Sequence, residues 1–119
     1  SPDDIRQELG DISDQSKNNL VWDLAYNRVA SCIDLHINVL FDSTMCNIKT
    51  LKTLMLKFPF EEFKIKVFNC TVIEAYDRIK KDICNNVVRS NVPLDVIKRQ
   101  YEGFQVVYKY LKEQKFSLE

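Results

Sequence analysis

Glycine is almost missing from this 119-residue sequence: there are two, Gly10 and Gly103, and neither lies in a loop that cradles phosphate. Gly10 closes an acidic opening segment, and Gly103 interrupts a stretch with helical spacing. No apolar run approaches the roughly 20 residues that a membrane span requires. No signal peptide is visible either, since the chain opens Ser1-Pro2-Asp3-Asp4, and an opening without Met suggests an excised or processed piece. Formal net charge is zero, so no overall field draws the chain to nucleic acid or acidic lipid. Cys32, Cys46, Cys70 and Cys84 contain no Cys-x-x-Cys pair. That spacing disfavours zinc and fits free thiols of a cytoplasmic, intracellular protein. Asn69-Cys70-Thr71 matches the glycosylation acceptor pattern but has no secretory signal beside it. His36 lacks a metal partner at i+4 and reads as structural.

What remains is ordinary globular material, 45% hydrophobic and 29% charged, which argues against disorder and bounds the chain to one domain over 1–119. Charge is uneven. Asp3, Asp4, Glu8, Asp11 and Asp14 crowd the start, while Lys49, Lys52, Lys57, Lys64 and Lys66 lie mid-chain. These are solvated faces, or the lysines attend an anionic ligand.

Ser1 through Asp4 offers a cap, a proline in the first turn and acids where the helix dipole favours them. Ile5, Leu9 and Ile12 give that helix a weak apolar face, and Gly10 to Ser16 reads as a loop. From Lys17 to about His36, apolar residues at Leu20, Val21, Leu24, Ala25, Val29, Cys32 and Ile33 keep the 3.6 period of an amphipathic helix. Ile48, Leu51, Leu54, Met55 and Phe58 repeat it until Pro59. Thr71-Val72-Ile73-Glu74 is a capping box that starts a helix to about Cys84. After a polar break, Pro93 opens a last helix with Ile97, Tyr101, Phe104, Tyr108 and Leu111 on one face. The aromatics of that stripe belong to the core, because their spacing is helical.

Two stretches read as strands. Val39-Leu40-Phe41 is a continuous apolar run, as in a parallel strand buried on both faces, and it ends in Asp42-Ser43-Thr44. Phe63 to Phe68 alternates apolar and basic residues before ending in two apolar ones. Strands alternating with helices predict an α/β layer with a parallel sheet and a polar site at the carboxyl end of 39–41. Two strands alone are too few, so the sheet is expected to be completed by a partner chain or by a segment before Ser1.

Three stretches together resemble the polynucleotide-kinase-like P-loop kinases. Ser1 to Leu9 is similar to their "(S/N)-x-D-D-x-R" stretch, Val39 to Thr44 to their hydrophobic strand ending "D-x-T", and Asn91 to Phe104 to their "V-P-x-x-V-I-x-R-x-Y-x-x-F" helix. The phosphate loop of the family, G-x-x-x-x-G-K-[ST], is absent. The resemblance therefore implies part of a three-layer αβα P-loop NTPase fold, with a lid over about 78–92, whose phosphate-gripping segment lies upstream.

On that resemblance Asp3 matches the general base, and Arg6 matches the residue that grips a phosphate on the acceptor. Asp42 matches the magnesium-side acid, with Ser43 and Thr44 supporting it, and Met45 stands where the family has Asn. Arg78 and Arg89 match the lid cations over ATP, with Asp82 where a second lid arginine is expected. From the residues alone, Asp3 is equally a helix-start acid, Arg6 half of a surface ion pair, Asp42 and Ser43 a helix cap, and Lys80 and Lys81 a solvated face. Two functions follow as expectations. One is part of an ATP- and magnesium-dependent kinase acting on a hydroxyl of a polynucleotide 5′ end or a small molecule. The other is a non-catalytic interaction module that pairs with a partner chain.

Overall fold

The computed structural model describes residues 1–116 and 118–119, and among them the chain forms five helices and no strand. These are α1 (Pro2–Leu9), α2 (Asn18–Asp34), α3 (Ile48–Lys57), α4 (Val72–Cys84) and α5 (Leu94–Glu113). Each lies where apolar spacing and capping residues predict it. Ser1 Oγ accepts from the Asp4 amide at 3.1 Å, and the Asp4 side chain answers toward the Ser1 backbone, a complete capping box. Thr71 Oγ1 accepts from the Glu74 amide at 3.1 Å to start α4, and Asn47 caps α3 through the Lys49 amide at 2.8 Å.

The scarcity of glycine shows at the other helix ends. After α2, His36 donates to the Ile33 carbonyl at 2.9 Å and Ile37 to the Cys32 carbonyl at 2.8 Å. That is the paired closure in which the reversing residue usually is glycine. Here His36 takes it, at φ 56°. Asn86 closes α4 and Lys115 closes α5 in the same way, at φ 58° and 57°. His36 closes the helix through its backbone, and its side chain is exposed.

The α/β expectation fails. The run 39–41 and its neighbours form no ladder, and 63–68 makes a single parallel bridge, Ile65 to Leu118. The Val67 amide donates to the Glu119 carbonyl and the Glu119 amide to the Ile65 carbonyl, both at 2.8 Å. The alternation in 63–68 is still legible in burial: Phe63, Ile65 and Val67 are half-buried, Lys64 and Lys66 exposed. Strand propensity and pattern were present, but a strand exists only against another strand, and no second edge reaches 39–41. The three-layer P-loop architecture is therefore not the fold of these residues.

Packing divides between two small cores. Ile5, Val21 and Ala25 are buried between α1 and α2, with Leu24 and Phe41 against them. Leu51, Val107 and Leu111 are buried between α3 and α5, joined by Met45, Ile65 and Leu118. α4 packs on α5 and buries Ile79. On α5 the buried residues are Ile97, Val107 and Leu111, whereas Tyr101 is exposed, so the core face is rotated away from the aromatic stripe.

The molecule is more open than its size requires. Its radius of gyration is 15.3 Å, against about 13.5 Å for a compact domain of this length. Its accessible surface is 8790 Å², against about 6,700 Å² for a folded monomer of 14.0 kDa.

Candidate functional site

The opening of α1 brings two of the sequence-selected residues together. Asp3 and Arg6 are three positions apart on one helix face, and Arg6 Nη1 donates to Asp3 Oδ1 at 2.7 Å. Arg6 Nη2 donates to Asn18 Oδ1 at 2.6 Å, tying α1 to the first residue of α2. The Arg6 side chain is only 10% exposed while that of Asp3 is 62% exposed. The guanidinium is thus a half-buried brace whose Nε finds no protein partner among the described residues, beside a cavity of about 10 Å³ lined by Gly10, Asp11, Asp14 and Lys17. Asn18 was not legible as a third member, because a contact twelve residues away carries no local signal.

Two other carboxylates at this end are held ionised by their neighbours. The Ser1 hydroxyl, and then the terminal ammonium, keep Asp4 below the usual carboxylate range. Glu8 is lowered mainly by its hydrogen bonds from Arg28, at 2.6 and 3.1 Å, which join α1 to α2 a second time.

The other selected residues make no hydrogen bond or ion pair with Asp3 or Arg6 among the described residues. Asp42 is exposed, Ser43 half-buried and Thr44 exposed, and none of their side chains makes a hydrogen bond among the described residues. The chain beyond them turns through Met45 at φ 45° into the α3 cap. Asp42 does not cap α3; Asn47 does. Arg78 leans on Glu74 of its own helix at 3.8 Å and donates to Cys70 Sγ, just before the helix, at 3.8 Å. Arg89 donates to Asp82 Oδ2 at 2.8 Å, so the acid at the expected arginine position neutralises the arginine meant to replace it.

No group of three or more His, Cys, Asp or Glu able to hold a metal ion occurs among the described residues. Asp42 brings one exposed carboxylate whose side chain makes no hydrogen bond among the described residues, and magnesium held through so few carboxylates takes its other ligands from water and substrate phosphate. The mid-chain lysines are partly used in packing. Lys52 lies over the Tyr110 ring at 5.1 Å and Lys57 over Tyr26 at 4.8 Å. Among the described residues no helix is long and apolar enough to cross a membrane.

The feature that composition did not reveal is how many large apolar side chains are exposed. Residues 38–46 take part in no main-chain hydrogen bond among the described residues. Within that stretch Leu40 is 90% exposed, with Val39 exposed beside it. Leu35, Ile37, Leu56, Phe60, Phe68, Val87 and Val88 are exposed as well. Phe60 is 98% exposed, far from the usual fate of a phenylalanine. The signal was the apolar run itself, read as a strand whose neighbour could not be found. Comparison of the chain with family models, with curated proteins and with solved structures finds no match.

Proposed function

We propose that the chain is a non-catalytic interaction module, completed by another polypeptide that covers its unpaired apolar segments. One observation carries this reading: the main chain of residues 38–43 has no hydrogen-bond partner among the described residues, and it carries an almost fully exposed Leu40. Such an edge is a template for pairing with another chain. Size agrees. The surplus surface over a compact monomer is roughly 2,000 Å², which is the area one partner buries in a large obligate interface.

Phosphoryl transfer from ATP to a hydroxyl rests on the sequence resemblance alone. Asp3 pairs with Arg6 and Arg89 with Asp82, and the Asp42 side chain makes no hydrogen bond among the described residues, so no side-chain contact joins the three.

The test is amide hydrogen exchange on the purified chain, with titration of a dye that fluoresces on exposed apolar surface. The amides of 38–46 should exchange near the rates of unstructured peptide while those of α2 and α5 are protected, and the dye should bind. Strong protection of 38–46 in a monomer would overturn the reading. Transfer of the ATP γ-phosphate that Asp3→Ala abolishes without unfolding would overturn it in favour of the kinase.

A further inference from the structure

We infer that the polypeptide seated on 38–42 is a second copy of this chain, its 38–42 segment paired antiparallel with this one about a two-fold axis at Leu40. This rests on the interaction-module reading and names its partner.

The pairing follows from what each residue would face. In an antiparallel register centred on Leu40, Leu40 meets its own mate, Val39 meets Phe41 and Asn38 meets Asp42. An aromatic side chain opposite a β-branched one is among the favourable cross-strand pairs. The Asn38 amide is a donor for the Asp42 carboxylate. A two-residue slip that centred the axis on Asp42 would set two carboxylates against each other, so the sequence opposes that register. No lysine, arginine or proline lies between Asn38 and Asp42, and the one charge of the segment, Asp42, is at its end, so the Leu40 centre is left unprotected.

The monomer presents the segment ready for this. Phe41 is fixed on one side, packed on the Ile5, Val21 and Ala25 core with its ring 5.8 Å from Trp22. By the period of two, Leu40 projects oppositely in a paired strand, and it is the residue left most exposed in the run. A self-complementary patch is what a two-fold interface requires. The surplus of roughly 2,000 Å² is spread over the whole chain, and burying less than half of it here would reach the roughly 800 Å² that each side of a standard interface buries. The self-paired strands are the centre of such an interface, and neighbouring exposed residues such as Leu35 and Ile37 extend it.

The experiment is sedimentation equilibrium of the wild-type chain up to about 100 µM, with the variants Leu40→Asp and Leu40→Lys alone and mixed. Leu40 touches no core, so both variants should keep the helix content and melting behaviour of the monomer. The wild type should dimerise. Each variant should weaken association at least tenfold, about 1.4 kcal/mol, because like charges meet at the axis. An equimolar mixture should recover a dimer, since Asp then faces Lys. A wild-type dimer indifferent to both variants, or variants that stay apart when mixed, overturns the Leu40-centred pairing. A wild-type monomer with rapidly exchanging 38–46 amides overturns the second copy as partner while the interaction-module reading stands. A wild-type monomer with protected 38–46 amides overturns both.

Discussion

The Cys46 carbonyl lies against Gly103 so closely that a methyl group at 103 would collide with the oxygen. Gly103 sits inside α5, where glycine normally weakens a helix by about 1 kcal/mol relative to alanine. The glycine is kept because the connector 38–47 crosses α5 at this point, and the obstacle is backbone, which yields less readily than a side chain. Gly103→Ala should therefore destabilise the chain despite its better helix propensity, by about 1–3 kcal/mol in urea unfolding. A gain of stability would mean that the connector moves freely off α5.

His36 supports the opposite prediction. It holds a left-handed conformation at φ 56° to close α2, which costs a residue with a Cβ roughly 1–2 kcal/mol. His36→Gly should raise the urea midpoint with an unchanged slope, a gain of about 1 kcal/mol after the entropy that glycine adds to the unfolded chain. Loss of stability would show that the imidazole makes a contact worth more than the strain.

Arg6 and Asp3 should separate in a pair of substitutions. Arg6 is half-buried and bonds both Asp3 and Asn18, so Arg6→Ala removes the brace between α1 and α2 and should cost about 1–3 kcal/mol. Asp3 is exposed, and Asp3→Ala should cost under about 1 kcal/mol. Equal costs in thermal or urea unfolding would contradict the assignment of Arg6 as the structural member.

How much was legible follows from these residues. All five helices could be read because a helix bonds within itself, so spacing and caps at Ser1, Thr71 and Pro93 suffice. The strands could not, because a ladder needs a second edge that no local pattern supplies. The Asp3–Arg6 pair was readable from i, i+3 spacing, while Asn18 as its third member and Cys46 over Gly103 depend on how distant elements cross. Arg89 was readable as a cation but not as one bound to Asp82, since Val87 to Ser90 follow no helical period.

Acid should loosen the first helix pair. Glu8 is held below the usual carboxylate range by Arg28, and Asp4 by Ser1 and the terminal ammonium. A depressed folded value means that the native state favours the charged form. Its stabilisation is therefore present above the unfolded carboxylate value and is lost as pH falls through the folded one. The α1 amides should lose exchange protection before those of α5 as pH drops toward the lower carboxylate range. Glu8→Gln should flatten part of that dependence; an unchanged profile would show that the Arg28 bridge adds nothing to stability.

Alkaline pH acts through the connector. Burial raises the Cys46 thiol above its ordinary value, and the thiol donates a hydrogen bond to the Thr44 carbonyl at 3.1 Å, a bond that only its neutral form can make. The folded state thus resists forming the thiolate, whereas the unfolded chain does not. Stability from this group is intact below the unfolded thiol value and falls as pH rises from there through the raised folded one. Comparing wild type with Cys46→Ala isolates the contribution, because tyrosines and lysines titrate alike in both. The wild type should lose more stability between about pH 8 and pH 10 than the variant does. Alkylation gives a second readout: the exposed Cys84 should react ahead of Cys46 with a thiol reagent at neutral pH. If Cys46 reacts as fast as Cys84, the connector leaves α5 readily, and the Gly103 contact cannot be what holds it.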